Sequence, residues 1–218
     1  MAVFLWLPLN QASGQSDDNE PIRSSKYGKN RSFSMLKTNP FVPLWGAIPM
    51  TSEYRLTYST ATGQGQYAEL GLAYLDKNII FLQGMLSIHN NPGALNYRGH
   101  KIHFNYRWVL DAYEMPSGFY VGPHISYAYY RMEYHHSPTL TDYAFIEHVH
   151  AALLIGIQER IYDIFYLDIF TGLGYKHNSW GNNVKHSRQK IINMSGMEFV
   201  YNNHLKLKAG LSIGIRLN

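Results

Sequence analysis

His177 and Ser179 stand two residues apart, a spacing that puts both on one face of an extended strand. An imidazole beside a hydroxyl could take its proton and make it a nucleophile, with a carboxylate to orient the ring. Glu198 is the nearest downstream acid. His148 and His150 share a face in the same way and, with the nearby His135 and His136, could offer imidazoles to a metal ion. Only Asp142 and Glu147 accompany them, so hydrogen-bonded or solvated histidines are expected there and no metal. A larger set of polar residues alternates with apolar ones along the chain: Lys37, Glu53, Arg55, Glu69, Lys101, His103, Arg107, His124, His148, His150, Asp168, Lys176, Lys206, Lys208 and Arg216. Mixed charges of this kind can pair in a narrow polar interior, where an unpaired charge is expensive. Phosphate-binding glycine loops, paired glycosidase carboxylates and dinucleotide fingerprints are absent from the sequence, and no cofactor is expected.

The elements that position these residues read as strands. From Leu205 to Asn218 every odd position is apolar and every even one is charged, polar or glycine. That is the period-two signature of a strand with one greasy face, and the run is long enough to cross a bilayer at a tilt. Gly99 to Leu110 repeats the pattern, with Ile102, Phe104, Tyr106, Trp108 and Leu110 opposite Lys101, His103, Asn105 and Arg107. Further strands are expected at 50–59, 67–75, 119–134, 143–160 and 164–178, with a slip of parity after Tyr130. A weak first strand is expected at 34–45, where Pro40 and Pro43 remove two ladder donors. Short turns then fall near 61–65, 111–118 and 161–163. Longer connections fall at 76–98, 135–142 and 179–203, and a short link lies near 45–49. Segregation of short turns to one end is what outer-membrane barrels show.

Composition agrees. The chain holds 18 Tyr, 10 Phe and 18 Gly, with 16% charged residues, which fits an aromatic-rich β protein with tight turns. Transmembrane strands hide their hydrophobicity in alternation, so the mildly negative mean hydropathy does not exclude a membrane. The absence of Cys excludes disulfides, thiolate metal sites and a lipid-anchoring cysteine. A net charge of +4 spread over single residues leaves no nucleic-acid footprint. Residues 1–15, an apolar run followed by small residues, are expected to be a signal peptide without a basic start, and the polar stretch 16–32 a flexible linker.

Three segments, Gly118 to Arg131, Tyr166 to Tyr175 and Gly210 to Asn218, resemble the small eight-stranded outer-membrane β-barrels of Gram-negative bacteria, of the OmpA-transmembrane-domain or OmpX type. The final Leu217-Asn218 departs from the aromatic ending usual there. The resemblance implies an all-β, antiparallel up-and-down transmembrane barrel over 33–218, monomeric, in the cell outer membrane and in contact with its lipid. It also implies a structural or surface-interaction role through the loops at 76–98 and 179–203, with no catalysis, and a filled interior. Two alternatives stand beside it. His177-Asn178-Ser179 resembles the His-x-Ser pair of lipid A deacylases of the PagL type, which implies a hydrolase using His177 and Ser179, with Glu198 as the uncertainly placed acid. A soluble lipocalin-like carrier would turn the apolar faces inward instead.

Overall fold

The computed structural model describes residues 33–40, 51–77, 95–110, 116–137, 140–180 and 204–217. These form eight strands: β1 (Ser34–Thr38), β2 (Thr51–Gly63), β3 (Gln66–Lys77), β4 (Leu95–Val109), β5 (Gly118–Ser137), β6 (Leu140–Arg160), β7 (Phe165–Trp180) and β8 (Leu205–Arg216). Each pairs antiparallel with the next, and β8 returns to β1 through Met35↔Arg216 to Thr38↔Ile213, closing an up-and-down barrel. The apolar parity faces out. Leu72, Leu153, Ile155 and Leu173 are each more than half exposed, whereas Glu69, Asp168, His103 and His150 are buried. A lipocalin-like carrier has the reverse arrangement.

The sequence alternation locates the middle of each strand better than its ends. β1 stops at Thr38 rather than running through Pro40, because proline cannot donate to the ladder; the remainder of that expected strand, 41–45, lies outside the described residues. Asn39 takes over the edge: its side-chain nitrogen donates to Glu53 O at 2.6 Å, and its oxygen accepts from Arg55 N at 3.0 Å. β2 continues to Gly63, so the expected turn at 61–65 shrinks to Gln64 and Gly65. Gly65 supplies the positive φ of 67° that a two-residue hairpin needs.

At the opposite end the strands outrun expectation. β4 begins at Leu95, inside what reads as a loop. β5 and β6, of 20 and 21 residues, pair as far as Ser137↔Leu140, replacing the expected long loop at 135–142 with a projecting hairpin. The parity slip after Tyr130 is absent, and the register shift lies between His135 and Ser137. The cause is a change of sign in the alternation. Here the inward residues become apolar (Leu75, Tyr97, Tyr130, Met132, Ile146, all 0 or 1% exposed), while Arg98, Arg131 and Glu147 point out. The strands keep their period of two and exchange their faces.

The interior is layered. Towards the short turns Phe33, Met35, Tyr67 and Tyr166 form a buried apolar cluster, with Phe33 packed edge-on against Tyr67 and Tyr166 at 5.9 and 5.8 Å. Tyr120, Leu154 and Phe170 form a second.

Candidate functional site

Lys37, Glu69, Arg107 and Asp168 come from four different strands, and inward parity on each brings them to one level of the barrel. Lys37 Nζ lies 2.6 Å from Glu69 Oε1 and 3.1 Å from Asp168 Oδ2, and donates to Gln158 Oε1 at 2.5 Å. The Arg107 guanidinium spans the same two acids, Nη1 to Asp168 Oδ2 and Nη2 to Glu69 Oε2, both at 2.7 Å. Two cations thus meet two carboxylates. Neutral donors take up remaining lone pairs: Tyr120 OH to Asp168 Oδ1 at 2.7 Å and Asn105 Nδ2 to Glu69 Oε2 at 2.8 Å. The Tyr120 ring also lies under the Arg107 guanidinium, 4.2 Å from its centroid. Six strands are cross-linked in this way, and buried charge survives because it is paired and hydrogen-bonded.

Nearer the long-loop end the composition changes. Lys101 Nζ holds both oxygens of Glu53, at 3.1 and 2.9 Å, while Arg55 Nη1 stands 3.9 Å from Glu53 and its Nη2 donates to Ser212 Oγ at 3.3 Å. His124 and His148 sit in matching relays. His124 Nδ1 bonds Asn105 Oδ1, and Lys208 Nζ lies 2.8 Å from its Nε2. His148 Nδ1 bonds Asn178 Oδ1 at 2.5 Å, and Lys206 Nζ lies 3.0 Å from its Nε2. At His148 an amide oxygen beside Nδ1 and an ammonium beside Nε2 fit the Nδ1–H tautomer, whereas at His124 the Lys208 ammonium also lies 3.2 Å from Nδ1. His103 and His150 flank His124, with ring centroids 5.9 and 5.4 Å away.

The inward charged residues therefore divide into two groups with different chemistry. Lys37, Glu69, Arg107 and Asp168 form a balanced knot. Glu53, Arg55, Lys101, His103, His124, His148, His150, Lys206 and Lys208 line a level rich in cations and imidazoles, and Lys176 is buried on β7. Arg216 joins neither group, its guanidinium lying 5.5 Å from the Phe33 ring at the short-turn end. Charge alone misses the neutral members, Asn105, Tyr120, Gln158 and Asn178. Their inward parity is the signal that finds them.

His177 and Ser179 point outward on β7, both exposed. The imidazole stacks on His204, which in turn stacks on Tyr175, at centroid distances of 6.4 and 5.2 Å; it makes no hydrogen bond to Ser179. Glu147 lies opposite Ser179 in the β6–β7 register, and the Tyr127 side chain hydrogen-bonds to it. Glu198 lies outside the described residues, as do residues 1–32 and the loops at 78–94 and 181–203. The side chains of His135 and His136 are likewise not described. No cluster of three or more potential metal ligands occurs among the described residues.

No protein-family model matches the sequence, and no curated protein does. Among solved structures, the crystal structure of a major outer membrane protein from Thermus thermophilus is similar, with a TM-score of 0.50 at 10% identity over 85% of this chain and 99% of that one. The likeness is one of fold: this chain is a closed, eight-stranded antiparallel barrel similar to that of an outer membrane protein.

Proposed function

We propose that this chain resides in the bacterial outer membrane as a monomeric barrel with a structural or surface-interaction role carried by the end bearing the loops at 78–94 and 181–203. The observation that carries the reading is the outward belt of Leu56, Leu70, Leu72, Ile102, Ile125, Leu153, Ile155, Ile169 and Leu173 on successive strands, all exposed. Water-soluble proteins rarely leave so continuous an apolar surface uncovered, and lipid covers it without a protein partner. Tyr54, Tyr74, Tyr127, Tyr129 and Tyr175 lie on the same face nearer the long-loop end, where an interfacial girdle belongs. Residues 1–15 serve on this reading as an export signal and 16–32 as a linker. The cross-linked interior supports a role without conduction, because the Lys37, Glu69, Arg107 and Asp168 knot, with its Gln158 and Tyr120 partners, ties six strands together across one level of a narrow barrel. The hydrolase alternative lacks its central contact, since the His177 ring is stacked on His204 and not bonded to Ser179.

Fractionating cells that make the protein, then running the membrane fraction on a gel with and without boiling, tests this directly. The expected result is an outer-membrane band whose mobility shifts on heating. A soluble protein with no heat-dependent shift overturns it.

A further inference from the structure

Thr38, Leu56 and Leu72 are cross-strand neighbours on β1, β2 and β3, and one outward row nearer the long-loop end Tyr54, Tyr74 and His100 are neighbours on β2, β3 and β4. Together these six line an open groove of about 490 Å³ on the outer wall of the barrel. That is the size of a small-molecule cleft, for which about 300–1,000 Å³ is usual. The first strand ends beside it, where the Thr38 hydroxyl donates to Arg55 O at 2.9 Å. Three rings edge the other end, with Tyr54 and Tyr74 centroids 6.5 Å apart and Tyr74 and His100 5.7 Å apart. The groove is therefore amphipathic along its length: aliphatic at Leu56 and Leu72, and edged by two phenols and an imidazole at the level of the tyrosine girdle.

The charges beyond that edge select the occupant. Arg98 stands two residues past His100 on the same face of β4, exposed and in no ion pair among the described residues. Arg131 faces it from β5, its Nε held by Glu133 at 2.8 Å, and Asp76 faces it from β3. Two guanidiniums and two carboxylates balance, so this rim favours no simple ion of either sign. It suits a headgroup that carries both charges and sets its phosphate against Arg98, whose planar fork matches phosphate oxygens. An aliphatic trough leading up to such a rim is the outline of a lipid with its chain towards the membrane centre and its head at the girdle.

We propose that the groove holds one zwitterionic phospholipid, with an acyl chain along Leu56 and Leu72, its carbonyl region beside Tyr54, Tyr74 and His100, and its phosphate on Arg98. The proposal rests on the membrane reading and deepens it, since it names a lipid held at one place on the wall rather than exchanged along the whole apolar belt.

The test is native mass spectrometry of the purified full chain in detergent micelles, shown to be folded by its heat-shifted band and titrated with phosphatidylethanolamine, with phosphatidylglycerol as the comparison lipid. One saturable phosphatidylethanolamine per chain is expected, bound more tightly than phosphatidylglycerol. Leu72→Trp fills the trough and Arg98→Gln removes the charge; each, checked for the heat shift, is expected to weaken binding at least about tenfold, as loss of a charged hydrogen bond or of the space for the chain dictates. Val149→Trp, also outward and exposed but on β6 across the barrel, is expected to leave the affinity unchanged. No saturable binding by a wild-type chain that still shows the heat shift overturns the proposal and leaves the membrane reading standing. Affinity unchanged in Leu72→Trp, or lowered as much in Val149→Trp, overturns it in favour of contact along the whole belt. Affinity unchanged in Arg98→Gln, or tighter binding of phosphatidylglycerol, overturns the assigned headgroup. A wild-type chain without the heat shift is the failure of the membrane reading itself, and takes the proposal with it.

Discussion

Asp168 shows how little slack the interior has at the level of single residues. Its carboxylate accepts from Arg107, Lys37 and the Tyr120 hydroxyl at 2.7, 3.1 and 2.7 Å. Asp168→Asn keeps the shape and removes the charge, leaving two buried cations with one carboxylate. The expected cost is about 3–5 kcal/mol, the range for breaking a buried pair from one side. Urea unfolding in micelles, followed by tryptophan fluorescence, checks it; a loss below about 1 kcal/mol contradicts the paired knot. Gly71→Ala puts a methyl where the His103 ring sits and is expected to cost about 1–3 kcal/mol in the same assay, as overpacking does. At this scale the sequence shows which face a side chain occupies, because parity is local. It does not show which inward residues meet. Lys37 and Gln158 are 121 residues apart in the chain and touch only because β1, β6 and β7 reach one level after the barrel closes. His177 and Ser179 illustrate the converse: shared parity put them on one face, but His204, contributed from just before β8, claims the ring.

Among the elements, β5 and β6 are the most informative. Their central residues alternate apolar-out, polar-in, and from Tyr130 onward on β5 the signs exchange while the register with β6 runs unbroken to His135↔Thr141. The exchange makes Arg131 an outward residue that ion-pairs with Glu133 at 2.8 Å and covers the Tyr143 ring at 4.9 Å. Such a residue belongs in water. Leu153, outward on the same hairpin but nearer its middle, is an exposed apolar residue that the proposed membrane would cover. Leu153→Arg is therefore expected to destabilise the barrel folded in phospholipid vesicles by about 2–4 kcal/mol, as cations near the bilayer midplane do. Arg131→Leu is expected to stay within about 1 kcal/mol, the scale of an exposed ion pair. Equal costs at both positions contradict a hairpin that emerges from the membrane. The same exchange explains why a sequence reading loses the strand end at 95–98. A template of one sign scores the inverted half as irregular, although the period of two persists. β1 is hard to bound for a different reason: five residues ended by Pro40 give too few alternations, and its strand status is fixed by pairing to both β2 and β8.

Taken whole, the barrel combines two faces that no single-segment argument connects: an apolar exterior on every long strand and an interior closed by an apolar cluster at the short-turn end and a charge knot above it. Eight strands enclose little more than their own side chains, so neither layer leaves an aqueous path. Purified protein in planar bilayers is expected to show no sustained single-channel steps of porin size, and regular large openings contradict the closed interior. Up-and-down closure was legible from eight alternating segments whose connections are by turns short and long. The layering was not, since it depends on shear between strands and hence on the three-dimensional register.

The chain contains no Cys, so one introduced cysteine is a unique reporter. The most direct test of the central claim labels Leu153→Cys with an environment-sensitive fluorophore and folds the protein into lipid vesicles. A lipid-facing exterior predicts blue-shifted emission quenched by spin-labelled acyl chains and indifferent to aqueous iodide. Red-shifted emission quenched by iodide and untouched by the lipid quencher would contradict it.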